Sequence, residues 1–96
     1  MLQPPFAGDC MHSYQVYESS SDKRRVALSD DIDRCHVGRP TADAPAFGAQ
    51  LVGLPPRLGL NVLLCLRTGR IFRILFEWID CDRQAAIKRL HPRLTL

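Results

Sequence analysis

The chain has no stretch long and apolar enough to cross a bilayer as a helix. Its best candidate, residues 60–79, is interrupted by Arg67, Arg70 and Arg73. It has no basic n-region ahead of an early apolar run, because MLQPPFAGDC carries two prolines and no lysine or arginine. A secretory leader is therefore not expected, and the expected location is cytoplasmic. No CxxC spacing links Cys10, Cys35, Cys65 and Cys81. Neither Cys10-Met11-His12 nor Cys35-His36 has the spacing of a zinc site, and no secretion signal supports reading the four cysteines as a disulfide framework. No metal or cofactor is expected. The acids Asp30, Asp31 and Asp33 do not form a calcium-loop pattern and read as a solvated turn. A net charge of +3 is too small to imply nucleic acid, and no internal repeat is visible.

What is present suits one small folded domain. Ninety-six residues allow a single modest core, and 46% hydrophobic content is that of a globular chain. Seven prolines and six glycines favour many turns and short strands. The charge is uneven. From Arg57 onward eight Lys/Arg face only Glu77, Asp80 and Asp82, whereas five Lys/Arg face seven acids before it.

Residues 60–80 organise the rest. Two apolar runs, 60–66 and 71–79, flank Arg67-Thr68-Gly69-Arg70. Read with period two, Leu60, Val62, Leu64 and Leu66 share one face of the first run. Phe72, Ile74, Phe76 and Trp78 share one face of the second, opposite Arg73 and Glu77. That pattern predicts a hairpin with one buried face and a glycine where a tight turn needs positive φ. Ile71, Ile74, Leu75, Trp78 and Ile79 also fit a helical stripe. Aromatic and β-branched content favours strands.

Residues 1–21 read as a flexible tail, with Tyr14, Val16 and Tyr17 adding a short strand at most. A domain over 22–96 follows. Short strands are expected at 26–28 and 49–52, and a weak strand or loop at 34–42. Residues 84–90 suit a short C-terminal helix or equally a last strand, stopped by His91-Pro92. The expected fold class is thus mostly β, a small antiparallel barrel.

In order and spacing, these pieces resemble a PilZ domain, in a short and degenerate form. Arg24-Arg25 stands where the family's RxxxR motif precedes the first strand. Asp43 and Gly48 match the ends of its DxSxxG motif. The strand at 48–51, the turn at 54–60, the strands at 62–66 and 71–78, and Asp80-Cys81-Asp82-Arg83 continue the pattern to His91-Pro92. The resemblance covers residues 22–93 and implies a β-barrel that binds cyclic di-GMP. Arginine forks would pair with phosphate or a guanine edge, and a glycine would let the backbone approach the ligand.

The motif departs from the family's at two points. The second arginine falls on Ala27, Leu28 or Ser29 in the three possible registers, and the motif serine is Pro45. Losing one charged fork and one hydroxyl costs on the order of 3–5 kcal/mol of binding. The resemblance therefore implies an adaptor that contacts a signalling or motility protein. The alternative is a working cyclic di-GMP receptor using Lys23, Arg24, Arg25, Arg39, Asp43 and Gly48, with Lys23 or Arg39 replacing the missing arginine. A third reading makes residues 58–91 amphipathic helices on a membrane surface or a partner helix. An enzyme is not expected: His12, His36 and His91 read as exposed polar residues with no nucleophile organised beside them.

Overall fold

The computed structural model describes residues 11–22 and 24–91. They form strands β1 (His12–Ser19), β2 (Val26–Asp30), β3 (Cys35–Pro40), β4 (Gln50–Gly53), β5 (Gly59–Leu64) and β6 (Ile71–Cys81), then helix α1 (Arg83–Leu90). The strands close into an antiparallel barrel in the order β1-β2-β3-β6-β5-β4. The fold is mostly β, as the sequence predicts, and residues 84–90 take the helical option. The amphipathic-helix reading of 58–91 fails, because 59–81 is a β-hairpin. Within that hairpin Gly69 has φ +76°, the left-handed turn position expected of it.

The tail boundary is corrected. Residues 12–19 are an integral strand that joins β2 to β4 and so closes the barrel. Tyr14 and Val16 point inward and are almost completely buried. Residues 1–10 lie outside the described residues.

The barrel interior holds Tyr14, Val16, Val26, Leu28, Leu51, Leu63, Cys65, Phe72, Ile74 and Phe76. Two predicted faces differ from this. In β5 the inward residues are Asn61 and Leu63, followed by Cys65, whereas Val62 is 50% exposed, Leu66 is 70% exposed and Leu64 is half-buried. Register explains the inversion. Directly opposed residues share a face, and Asn61 faces Ile74 while Leu63 faces Phe72. The polar Asn61 is tolerated inside because its side-chain amide donates to the carbonyls of Arg57 (2.8 Å) and Gly59 (2.9 Å).

Trp78 is the second correction. Gly38 faces Phe76 and Val37 faces Trp78, so β6 advances two residues while β3 advances one. This bulge at Glu77 puts Trp78 on the outer face, half-buried under α1, rather than in line with Phe76. Gly38 makes the close approach possible, since a Cβ there would sit 2.6 Å from the Leu75 carbonyl oxygen.

Helix α1 covers a second apolar layer outside the barrel: Ala27, Cys35, Val37, Ala86 and Leu90, with Tyr17, Trp78 and Cys81 against it. The helix begins at Asp82, whose carboxylate accepts the Ala85 N–H at 2.7 Å. Lys88 and Arg89 lie in its last turn, complementing the helix dipole. Asp82→Ala is expected to cost about 1 kcal/mol by loss of this cap. Denaturant melts should show the loss in the midpoint, with Trp78 fluorescence reporting on the loosened helix.

Candidate ligand and partner surfaces

The basic cluster begins in the connection from β1 to β2. Ser20 organises it: its hydroxyl accepts the Arg25 N–H (3.0 Å) and donates to Asp22 (2.6 Å), while the Asp22 carboxylate accepts the Arg24 N–H (3.0 Å). These bonds hold the Asp22 carboxyl below the usual carboxylate range. Arg25 is thereby aimed at the β6 bulge. Its Nε donates to Glu77 Oε1 at 2.7 Å, and Arg39 Nε lies 3.2 Å from the other carboxylate oxygen. Glu77 thus bridges an arginine of the β1–β2 connection and one of β3. Arg25 and Arg89 lie over the Trp78 ring at 5.8 and 4.9 Å.

The structure therefore brings Arg24, Arg25 and Arg39 together. Arg24 and Arg39 line one open groove of about 420 Å³ with Pro40, Ala42 and Leu75. Lys23 lies outside the described residues. Asp43 and Gly48 do not line this groove. Asp43 pairs with Arg70 at 2.9 Å, in the β5–β6 connection. Gly48, at φ +81°, donates its N–H to the Val16 carbonyl at 2.7 Å and borders a separate depression beside β1 and β4. The loop 41–49 that carries both residues joins β3 to β4; its Thr41 N–H meets the Arg73 carbonyl of β6, and its far end bonds to Val16 of β1. Pro45 is buried within that loop. Leu28, one of the three positions for the second motif arginine, is fully buried in the barrel.

Sequence reasoning missed two features. One is Glu77, which read as an outward strand residue. It lies 52 positions from Arg25, so only the fold shows their pairing. The other is His36, expected at the surface but fully buried. Its ring stacks on Phe76 (centroids 5.7 Å apart, planes 14° apart) and meets Tyr14 edge-on. Nδ1 accepts the Asp80 N–H at 3.1 Å, which assigns the ring proton to Nε2, 2.8 Å from Asp30 Oδ2. His12 and His91 are half-buried rather than exposed. Asp30 also departs from the solvated-turn reading, because its side chain is only 3% exposed. Burial pulls the Asp30 carboxyl up, but the Arg34 N–H, His36 and the Ile32 N–H outweigh it and hold the group below the usual range.

A histidine beside a carboxylate is one half of a proton-transfer site. Here the second ring nitrogen is taken by a backbone amide and the ring is sealed, so no substrate atom reaches it. Among the described residues, no group of three His, Cys, Asp or Glu is placed to hold a metal ion. No described helix is long and apolar enough to cross a membrane.

The inverted β5 face has a consequence for the outer surface. Leu60 faces Leu75, Val62 faces Arg73 and Leu64 faces Ile71 across the hairpin. Leu60, Val62, Ile71 and Leu75 are all exposed, with Arg73 among them. Arg73 makes no ion pair among the described residues. Comparison with family models, curated proteins and solved structures found no match.

Proposed function

We propose that the chain is a non-enzymatic, PilZ-like binding module with a degenerate cyclic di-GMP motif, acting as a protein-interaction adaptor through the outer face of β5 and β6. The resemblance would put it in cytoplasmic second-messenger, motility or surface-attachment signalling. The observation that carries the reading is the exposed apolar face with, at its centre, an arginine that makes no ion pair among the described residues, since contiguous exposed apolar patches mark interaction sites. Two further observations support the degenerate motif. Arg25 already donates its Nε N–H to Glu77 and Arg39 is ion-paired to the same carboxylate, and Leu28 and Pro45 are buried where the motif needs polar groups.

The fitting partner is an acidic segment with apolar side chains on one face. Its leucine-type residues would cover Leu60, Val62 and Ile71, and its carboxylates would meet Arg73 and the exposed Arg57 and Arg67. A second copy fits less well, because a two-fold axis through this face would bring Arg73 against Arg73.

Two titrations test the reading. Calorimetry with cyclic di-GMP, with GTP as control, is expected to show no heat up to several hundred micromolar. Low-micromolar binding would instead assign the Arg24–Arg39 groove to the nucleotide and sink the degenerate motif. For the partner face, the probes are two labelled amphipathic peptides of identical leucine pattern, one with glutamates and one with lysines. The glutamate peptide is expected to bind at least tenfold tighter, and Arg73→Glu should reverse that order. Equal binding, or binding by neither, removes the face as an acidic-partner site. A dimer in sedimentation that Val62→Asp dissociates would assign the face to self-association.

A further inference from the structure

We propose that Cys35 and Cys81 form a redox modification site, a cross-strand dithiol that a hydroperoxide closes to a disulfide. Cys35 on β3 and Cys81 at the end of β6 are direct partners in the strand register. Directly opposed residues of an antiparallel pair have Cα atoms about 4.5–5.5 Å apart, within the span of about 4.4–6.8 Å that a disulfide requires. Both side chains lie on the same face, in the apolar layer beneath α1. Both are free thiols.

Their settings differ in a way that suits two-step closure. Cys35 is fully buried, whereas Cys81 is only half-buried and its thiol points to the Ile79 carbonyl at 3.7 Å. Asp80, just before Cys81, takes a left-handed conformation (φ +57°) that ends the bulged stretch of β6 and returns Cys81 to register with Cys35. The proposal is independent of the adaptor reading and of the arginine cluster.

The chemistry balances with one peroxide. Burial pushes the Cys81 thiol above its ordinary range, so the reaction runs through a minor thiolate fraction; that thiolate attacks a peroxide oxygen, an S–O bond forms, the O–O bond breaks, and the first water leaves once protonated. The Cys35 sulfur then attacks Cys81 Sγ; the S–S bond forms, the S–O bond breaks, and the second water leaves. Two thiols lose two electrons and two protons, and hydrogen peroxide is reduced to two waters. Cys65 belongs to the barrel interior at the other end of β5, so it is not placed to resolve either sulfur.

The test treats the folded, full-length protein with hydrogen peroxide, blocks remaining thiols in acid and maps non-reduced tryptic peptides. The expected product joins peptide 35–57 to peptide 74–83 with loss of two hydrogens, and dithiothreitol separates them. In Cys35→Ala, Cys81 should stop at the sulfenic acid and be trapped by dimedone. Should that variant fail to fold, Cys81→Ala, at the half-buried position, should leave Cys35 unlinked under the same treatment. The proposal is overturned if Cys35 and Cys81 stay unlinked in the folded protein. It is equally overturned if they link only after guanidine unfolding, or if either pairs preferentially with Cys65 or Cys10.

Discussion

Phe76→Ala is expected to abolish cooperative melting at physiological temperature, or to lower the melting midpoint by tens of degrees. Phe76 is almost completely buried, stacks on His36 and meets the Tyr14 ring edge-on with centroids 6.3 Å apart. It also fills the space opposite Gly38, where β3 and β6 are too close for any side chain on β3. The Tyr14 and His36 rings that flank it are each held by their own hydrogen bonds, so they do not collapse easily into the void. Truncating a buried phenylalanine costs about 3–5 kcal/mol. A chain of this length has a total stability of about 5–14 kcal/mol at the usual per-residue range. In a domain of this size each 1 kcal/mol moves the midpoint by about 4–8 °C. Far-UV circular dichroism against temperature reads the result directly. Leu66→Ala is the matched control. Leu66 stands on the face that the sequence alone marks as buried, yet it is largely exposed, so the change should stay within about 0.5 kcal/mol. A melt of Phe76→Ala close to wild type, or a large loss in Leu66→Ala, would mean that the interior of the hairpin is misassigned.

That pair of variants also marks where the sequence was legible. On β6, arginine at position 73 between Phe72 and Ile74 leaves one choice of inner face. On β5 the outward positions Leu60, Val62 and Leu64 are all apolar, whereas the inward ones pair Leu63 with the polar Asn61. Alternation therefore points the wrong way until register with β6 is known. Trp78 leaves the inner face because of one extra residue, Glu77, and strict period-two reading cannot see a bulge. In β1, Ser, Gln and Glu outweigh the two buried residues, so a barrel-closing strand looks like a tail. The basic cluster was legible because Arg24 and Arg25 are adjacent and precede a strand. Its neutralisation by Glu77 was not, since that contact exists only once β3 and β6 pair. His36 lies between Cys35 and Val37 in a plain strand pattern, and nothing in that pattern says that a turn aspartate will reach it.

The Asp30–His36 contact predicts the second large effect. Asp30 accepts the N–H groups of Ile32 (3.0 Å) and Arg34 (2.9 Å) through one oxygen and faces His36 with the other. Asp30→Ala removes all three acceptor contacts and leaves the imidazole N–H buried without a partner. The His36 ring cannot recover by exchanging its proton, because Nδ1 must stay unprotonated to accept from Asp80. The expected loss is about 3–5 kcal/mol, combining a hydrogen bond to a charged group with a stranded buried donor. Asp30→Asn is the sharper probe. Its carbonyl oxygen can keep the two turn N–H groups, but its amide nitrogen then meets the His36 N–H donor to donor, so part of the loss remains. The acid dependence separates the variants. The folded Asp30 carboxyl titrates below its unfolded value, near 3.9, so its contribution is complete above about pH 5 and fades as pH falls through the folded value. Wild-type stability should therefore drop on acidification below about pH 4, and the Asp30→Asn curve should be flatter over that interval, starting from a lower plateau. Parallel curves for the two proteins would mean that Asp30 carries no depressed carboxyl. His36 would then be held by the Phe76 stack and the Asp80 amide alone.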